Sequence, residues 1–313
     1  MVKPPSFVQK ADIAGLMKYL LTTLFSCCLL AASAQNSIDL QAHRGGRALM
    51  PENSIEAMLH AVDLGSRTLE LDVVISKDGQ VVVSHDTYMN ADFMLKPDGS
   101  EISKAEQKSL LLYAMPYDSI KKYDGGTKVH SGFTAQKKMH TYKPLLTEMI
   151  DAVDKYTKAK HLKPVYYNIE IKCSPKGDNV EHPVPDVIAD KVMAIVKQKN
   201  LLNRSNIQSF DERPLQYLHA KYPKVVLAYL VSNKNTYRQN MDKLGFKPPI
   251  ISPEYKQIDA TFVNNAHAAG VKVIPWTVND AQAMKQLAAI KVDGIISDNP
   301  DILVELFGSY QKK

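Results

Sequence analysis

From residue 38 onward the chain alternates short apolar runs with amphipathic stretches. The apolar runs predict strands at 38–42, 68–75, 165–171, 206–210, 225–230, 249–252, 271–276 and 294–297. Between them apolar positions recur at helical spacing over 54–64, 144–159, 184–199, 212–221, 234–244, 256–269, 279–289 and 300–308. Strands that alternate with helices imply right-handed βαβ units and a parallel sheet. Eight of each over about 270 residues predict an α/β fold closed into a (β/α)8 TIM barrel. The open doubly wound sheet is the alternative, but the chain has neither G-x-G-x-x-G nor a phosphate loop ending in Gly-Lys-Ser/Thr.

One stretch breaks the rhythm. Asp78-Gly79 is a turn signal between two β-branched runs, so 71–75 and 80–84 should pair as a hairpin. A polar segment follows at about 86–143, rich in Lys, Tyr and Gly. Loops of that length are usually functional or carry structure of their own, and this one is expected as an insertion after strand two, over the barrel mouth.

Composition narrows the class. Of 313 residues 45% are hydrophobic and 23% charged, which excludes a disordered or fibrous chain. The 39 Lys and Arg are interspersed with 33 Asp and Glu, with no basic block to track a nucleic-acid backbone. Nucleic acid is therefore excluded as a partner. At the N-terminus Lys18 precedes an apolar run, 19–32, closed by Ala32-Ser33-Ala34. That run is shorter than the roughly 20 residues a membrane span needs and reads as a secretory signal, with Met17 as its start and 1–16 as an overlong extension. The expected domains are a removed segment 1–34 and a barrel domain 35–313 without a stable membrane span. The expected destination is the periplasm or the exterior. Lipoprotein anchoring is disfavoured, because Phe25-Ser26 before Cys27 is a poor match. Removal takes out three Lys and one Asp, lowering net charge from +6 to +4, and leaves Cys173 alone, so no internal disulfide can form.

In a barrel of this kind chemistry sits at the C-terminal ends of the strands. Those ends read His43-Arg44-Gly45, Glu70-Leu71-Asp72, His85-Asp86 and Asn168-Ile169-Glu170-Ile171-Lys172. Alternation puts Glu70 with Asp72 on one face of their strand, and likewise puts Asn168, Glu170 and Lys172 together, with Ile169 and Ile171 packing toward the helices. Carboxylates aimed into a barrel are costly unless compensated, and a cation compensates them. Glu70, Asp72 and Glu170 thus form a candidate oxygen-only site for Ca²⁺ or Mg²⁺. The plainer alternative is a charge network with Arg44 and Lys172. His43 and His85 are candidate acid and base, since imidazole titrates near neutrality. The other histidines (60, 130, 140, 161, 182, 219 and 267) read as structural. Arg44 and Lys172 offer cationic groups for a phosphate.

These segments, with Pro51-Glu52-Asn53-Ser54, Gln208-Ser209-Phe210-Asp211, Trp276-Thr277-Val278-Asn279 and Asp293-Gly294-Ile295-Ile296-Ser297-Asp298, occur in order over residues 43–298. Together they resemble the glycerophosphodiester phosphodiesterase family, whose fold is a (β/α)8 barrel. The resemblance implies metal-dependent hydrolysis of a small-molecule glycerophosphodiester to glycerol phosphate and an alcohol, through a cyclic phosphate. It implies metal ligation by Glu70, Asp72 and Glu170, acid–base roles for His43 and His85, phosphate contacts from Arg44 and Lys172, and Trp276 in the pocket wall. Pro-Glu-Asn-Ser reads equally as a helix start with Asn53 or Ser54 as N-cap. After His85-Asp86 the chain reads Thr87-Tyr88-Met89-Asn90, where many members carry Leu-x-Arg-Thr, and this departure touches substrate choice. The rival readings are a related barrel phosphodiesterase acting on phospholipids or lysophospholipids, and a non-catalytic binder of phosphorylated ligands. Headgroup, choice between the two metals and oligomeric state are not legible.

Overall fold

The computed structural model describes residues 1–2 and 38–311, so nearly all of the expected signal segment lies outside the described residues. The chain divides into Met1–Ser37 and Ile38–Lys313. Of the first unit only Met1 and Val2 are described, both exposed. The second unit holds the fold.

Its strands are β1 (Asp39–Ala42), β2 (Thr68–Ile75), β3 (Val81–Val83), β4 (Tyr166–Ile171), β5 (Ser205–Ser209), β6 (Val226–Val231), β7 (Ile250–Pro253), β8 (Lys272–Val273) and β9 (Gly294–Ser297). All but β3 run parallel, in the order β8-β7-β6-β5-β4-β2-β1-β9. Between β8 and β9 the ring is drawn together by single hydrogen bonds: Asp293 N–H to Val273 O (2.8 Å) and Ile296 N–H to Pro275 O (3.0 Å). The helices are α1 (Ile55–Leu64), α2 (Tyr117–Ile120), α3 (Leu146–Ala159), α4 (Pro185–Gln198), α5 (Glu212–Lys221), α6 (Tyr237–Leu244), α7 (Ala260–Ala268), α8 (Ala281–Ala289) and α9 (Pro300–Phe307). Apart from α2, each follows a parallel strand, α3 only after the β3 hairpin and the insertion. The result is the expected (β/α)8 barrel, nearly closed.

Strand alternation sorts the core into two layers. Leu69, Leu71, Tyr167, Ile169, Ile171 and Ile207 belong to the main core that also holds the buried residues of the helices. A smaller apolar group, Ala228, Ile250, Ile274 and Ile296, forms a separate cluster. Beside the carboxylate strands the buried side chains are polar instead. Asn168 Nδ2 donates to Gln41 Oε1 (2.8 Å) and Gln208 Oε1 (3.0 Å), so these buried amides satisfy one another.

Three elements differ from the expected ones by more than two residues at an end. The regular ladder of β8 stops at Val273: Ile274 N–H still donates to Ile251 O (3.0 Å), but Pro253 of β7 has no N–H to return to Ile274. Trp276 resumes contact as an isolated bridge to Glu254. Helix α6 starts at Tyr237, where Thr236 and Gln239 form a capping box, and α7 starts at Ala260, capped by Asp259.

The hairpin forms as expected, with Val73, Val74 and Ile75 opposite Val83, Val82 and Val81. Residues 86–143 build a small core of their own on its far face. Met89, Phe93, Met94, Ile102, Leu112, Tyr117 and Ile120 pack there with Val74 and Val82.

Candidate active site

The site begins with a tight turn. After β1 the backbone turns through His43–Gly45, with Arg44 at φ 51° and Gly45 at φ 82°. A Cβ at position 45 would lie 2.8 Å from Ala57 Cβ, so only glycine lets α1 pack this closely. The turn aims the Arg44 backbone N–H at Glu70 Oε2, 2.9 Å away.

Register does the rest. In the parallel β2–β4 ladder Glu70 lies opposite Asn168 and Asp72 opposite Glu170. This brings Glu70, Asp72 and Glu170 together, with ligand atoms within 4.8 Å of one another. All three are buried. Burial and the neighbouring charges of Asp72 and Glu170 push the Glu70 carboxyl well above its ordinary range. Burial also raises Glu170, although Lys172 opposes it. Asp72 goes the other way: burial works against its charge, but Arg44, His85 and Lys172 more than offset that.

The donor set fits a hard divalent cation. Glu70 Oε1 accepts from Gln208 Nε2 (2.9 Å), and Asp72 Oδ2 accepts from Asn53 Nδ2 (2.9 Å). Asp72 Oδ1, however, is buried without a hydrogen-bond partner. The Lys172 ammonium stands 3.7 Å from it. A buried anionic oxygen without a donor is costly, and two neighbouring carboxyls are driven toward protonation. A cation among the three would relieve both conditions, and Ca²⁺ and Mg²⁺ both favour such all-oxygen ligands.

Both expected histidines face this cluster. His43 Nδ1 is 2.5 Å from Asp298 Oδ1, and its Nε2 is 4.0 Å from Glu70 Oε2. Burial pushes the His43 imidazole down, and the Asp298 hydrogen bond only partly opposes this. Asp298 also accepts from Arg47 Nε (2.9 Å) and Asn279 Nδ2 (2.7 Å). Burial would raise it, but the His43 hydrogen bond and these neighbours hold it at about 2. His85 Nδ1 lies 3.2 Å from Asp86 Oδ1.

Arg44 Nη1 donates to both oxygens of Glu52 (3.0 and 3.1 Å), while Nε is 3.4 Å from Asp72. Lys172 Nζ donates to Glu170 Oε1 at 2.6 Å. The two cations therefore neutralise carboxylates and also line the cleft. Trp276 lines it too, donating Nε1–H to Ser252 O (2.8 Å) and standing edge-on to Phe210. The cleft, about 480 Å³ including its open mouth, is lined by charged and polar groups, among them His43, Arg44, His85, Glu170 and Lys172, and by the apolar Phe210, Leu230, Trp276 and Ile296. None of its lining residues comes from 86–143. That insertion instead walls an adjoining cleft through Asp86, Thr87, Tyr88 and Lys108.

The supporting residues were not assigned from sequence: Asp298 for His43, Gln208 for Glu70, Asn53 for Asp72, Glu52 and Arg47 for the cation cage. Their motifs were visible, their partners were not. The helix-start reading divides here. Ser54 does cap α1, accepting from Ala57 N–H at 3.1 Å. Asn53, at φ 56°, turns to Asp72 instead, because its left-handed backbone places the amide beside β2.

Fold and site define a barrel enzyme whose charged chemistry is gathered at the C-terminal ends of its strands. The family model for glycerophosphoryl diester phosphodiesterases matches residues 43–302. A glycerophosphodiester phosphodiesterase of Caldanaerobacter subterraneus subsp. tengcongensis is 29% identical over 267 residues, covering 85% of this chain and 96% of the relative. A crystal structure from Silicibacter pomeroyi superposes with TM-score 0.77 at 25% identity, covering 88% of this chain and 95% of that one. An Oleispira antarctica phosphodiesterase, solved with the product sn-glycerol-3-phosphate, superposes with TM-score 0.68 at 23% identity, covering 87% and 98%. The chain belongs to the glycerophosphoryl diester phosphodiesterase family.

Proposed function

We propose that this chain hydrolyses glycerophosphodiesters to glycerol phosphate and an alcohol, with a divalent cation held by Glu70, Asp72 and Glu170. The observation that carries this is the buried carboxylate trio with one unpartnered oxygen, set between two histidines and two cationic side chains. When bound, such a cation lowers the pKa of an attacking hydroxyl and offsets phosphate charge.

The protein's own groups divide the remaining work. Lys172 and the Arg44 guanidinium border the phosphate position and oppose its negative charge. His43 has Nδ1 committed to Asp298, so Nε2 is the nitrogen left to exchange a proton with substrate. His85 has Nδ1 beside Asp86, which leaves its Nε2 in the same way. In the first step the glycerol 2-hydroxyl attacks phosphorus, one histidine takes its proton, and the other protonates the departing alcohol. In the second, water opens the cyclic phosphate and the two histidines exchange roles. Trp276 and Phe210 form an apolar wall against the glycerol carbons.

The test is a diester panel assayed with and without chelator. Turnover should vanish on chelation and return with Ca²⁺ or Mg²⁺. Glu70→Gln should weaken metal binding, measured by titration calorimetry, more than it lowers the melting temperature. Full turnover in excess chelator, with no metal found by elemental analysis, would overturn the reading.

We also propose export, supported by Lys18, the apolar run 19–32 and Ala32-Ser33-Ala34.

A further inference from the structure

Two clefts meet at the proposed reaction centre. His85 and Lys172 line both, so a phosphate beside Lys172 has one cleft on each side. The first presents Phe210, Leu230, Trp276 and Ile296. The second, about 530 Å³, is lined by polar and charged groups, among them Asp86, Thr87, Lys108, Ser174, Glu181 and His182. A diester has two substituents on its phosphorus, and the apolar wall suits only one of them.

Most charges of the second cleft are already committed. Lys172 is held by Glu170, and Asp86 accepts from Asn90 Nδ2 (2.7 Å) beside His85. His182 has both ring nitrogens occupied, Nε2 by Ser174 N–H (3.0 Å) and Nδ1 by Pro183 O (2.8 Å). Glu181 is different. Its Oε2 accepts from Thr87 Oγ1 at 2.7 Å, and no partner is described for Oε1. Lys108, also in the lining, rests over the ring of Tyr88, 3.6 Å from the centroid.

The loop that carries Glu181 is braced. A Cβ at Gly177 would come within 2.4 Å of His182 Nε2, so loop and imidazole are packed tightly together. Arg213 ties Asp178 of the loop to Asp211 at the start of α5, at 2.5 and 2.6 Å. A carboxylate held this way before ligand arrives loses little entropy on binding.

We propose that the second cleft receives the leaving alcohol, and that Glu181 selects alcohols bearing an ammonium group. A carboxylate with a free oxygen, in a half-buried polar cleft, pairs with an ammonium through a charge-assisted hydrogen bond. An uncharged polyol gains no such pairing. Lys108 has the opposite sign and tempers the preference. The inference rests on the diesterase reading above and adds to it the class of headgroup.

The experiment compares kcat/KM for glycerophosphoethanolamine and glycerophosphoglycerol, with metal present. The parent chain should favour the ethanolamine diester. Glu181→Gln should lower the ethanolamine-to-glycerol ratio by about fivefold, the scale of a partly exposed ion pair. Glu181→Lys should invert the ratio, and Lys108→Ala should raise it. Thr87→Val, which frees the Glu181 carboxylate, should lower it less than Glu181→Gln does. A ratio unmoved by Glu181→Gln in an active enzyme overturns this inference alone. A parent chain that cleaves neither diester with added metal overturns the diesterase reading as well.

Discussion

Asp298 shows how one residue sets the state of another. Its carboxylate takes three donors, from His43, Arg47 and Asn279, and so holds one imidazole nitrogen and leaves the other for chemistry. Asp298→Asn keeps the shape but loses the charge that holds the His43 tautomer, and kcat should fall on the order of a hundredfold. The same substitution has a signature in stability. Because the folded carboxyl sits at about 2, below its ordinary 3.8, its contribution is complete above pH 4 and disappears as pH falls through about 2. Acid unfolding curves of Asp298→Asn should therefore be flatter across that window than those of the parent. His43→Ala and His85→Ala should each lower turnover by about a hundredfold or more. His219→Ala and His267→Ala are the controls. The first stacks on Phe246 and the second bonds to Asp293, both on the helical layer, so kcat/KM should stay near the parent's even where melting temperature drops. Equal losses at all four positions would mean that the site is elsewhere.

At the scale of elements the insertion is a second small core joined to the barrel. Of its aromatic side chains Tyr117 is buried in that core and donates to Glu148 of α3 (2.8 Å), and Phe133 lies against the Arg47 guanidinium. Tyr88 lines the adjoining cleft. Lys143, at its end, is buried and donates to Ser84 Oγ at 2.9 Å, immediately before His85. Complete excision would uncover Val74 and Val82 and strip that donor from Ser84, so a short linker in its place should destabilise the hairpin as well as alter selectivity. A single truncation separates the effects. Ile120→Ala should cost about 2–5 kcal/mol by denaturant unfolding, the usual loss for a buried Ile, with metal affinity unchanged by calorimetry. An equal fall in metal affinity would show that the small core supports the carboxylate trio directly.

For the whole molecule the proposed export makes a physical forecast. Cells expressing the full chain should yield a mature protein that begins near Gln35 in the extracytoplasmic fraction, identified by mass spectrometry of its N-terminal peptide. Recovery of the uncut chain from the cytoplasm alone would overturn it.

Local patterning decided a great deal of this protein. Period-two apolar runs between amphipathic segments are a nearest-neighbour property, and they specify eight strands, eight helices and the hairpin at Asp78-Gly79 with ends misplaced by only a few residues. Two of the misplaced ends are themselves local, since Thr236 and Asp259 cap helices, whereas β8 stops short because Pro253 of the neighbouring strand lacks an N–H. Alternation likewise predicted that Glu70 and Asp72 share a face, since that depends on the strand period alone. What no single segment contains is who meets whom. Asp72 faces Glu170 through the register of two strands far apart in sequence, and His43 finds Asp298 only because β1 pairs with β9. The second cleft depends on the same closure, because Thr87 of the insertion reaches Glu181 of the loop after β4. Elements follow from short-range sterics and burial. The site's partners follow from ring closure, which is fixed by packing over the whole chain.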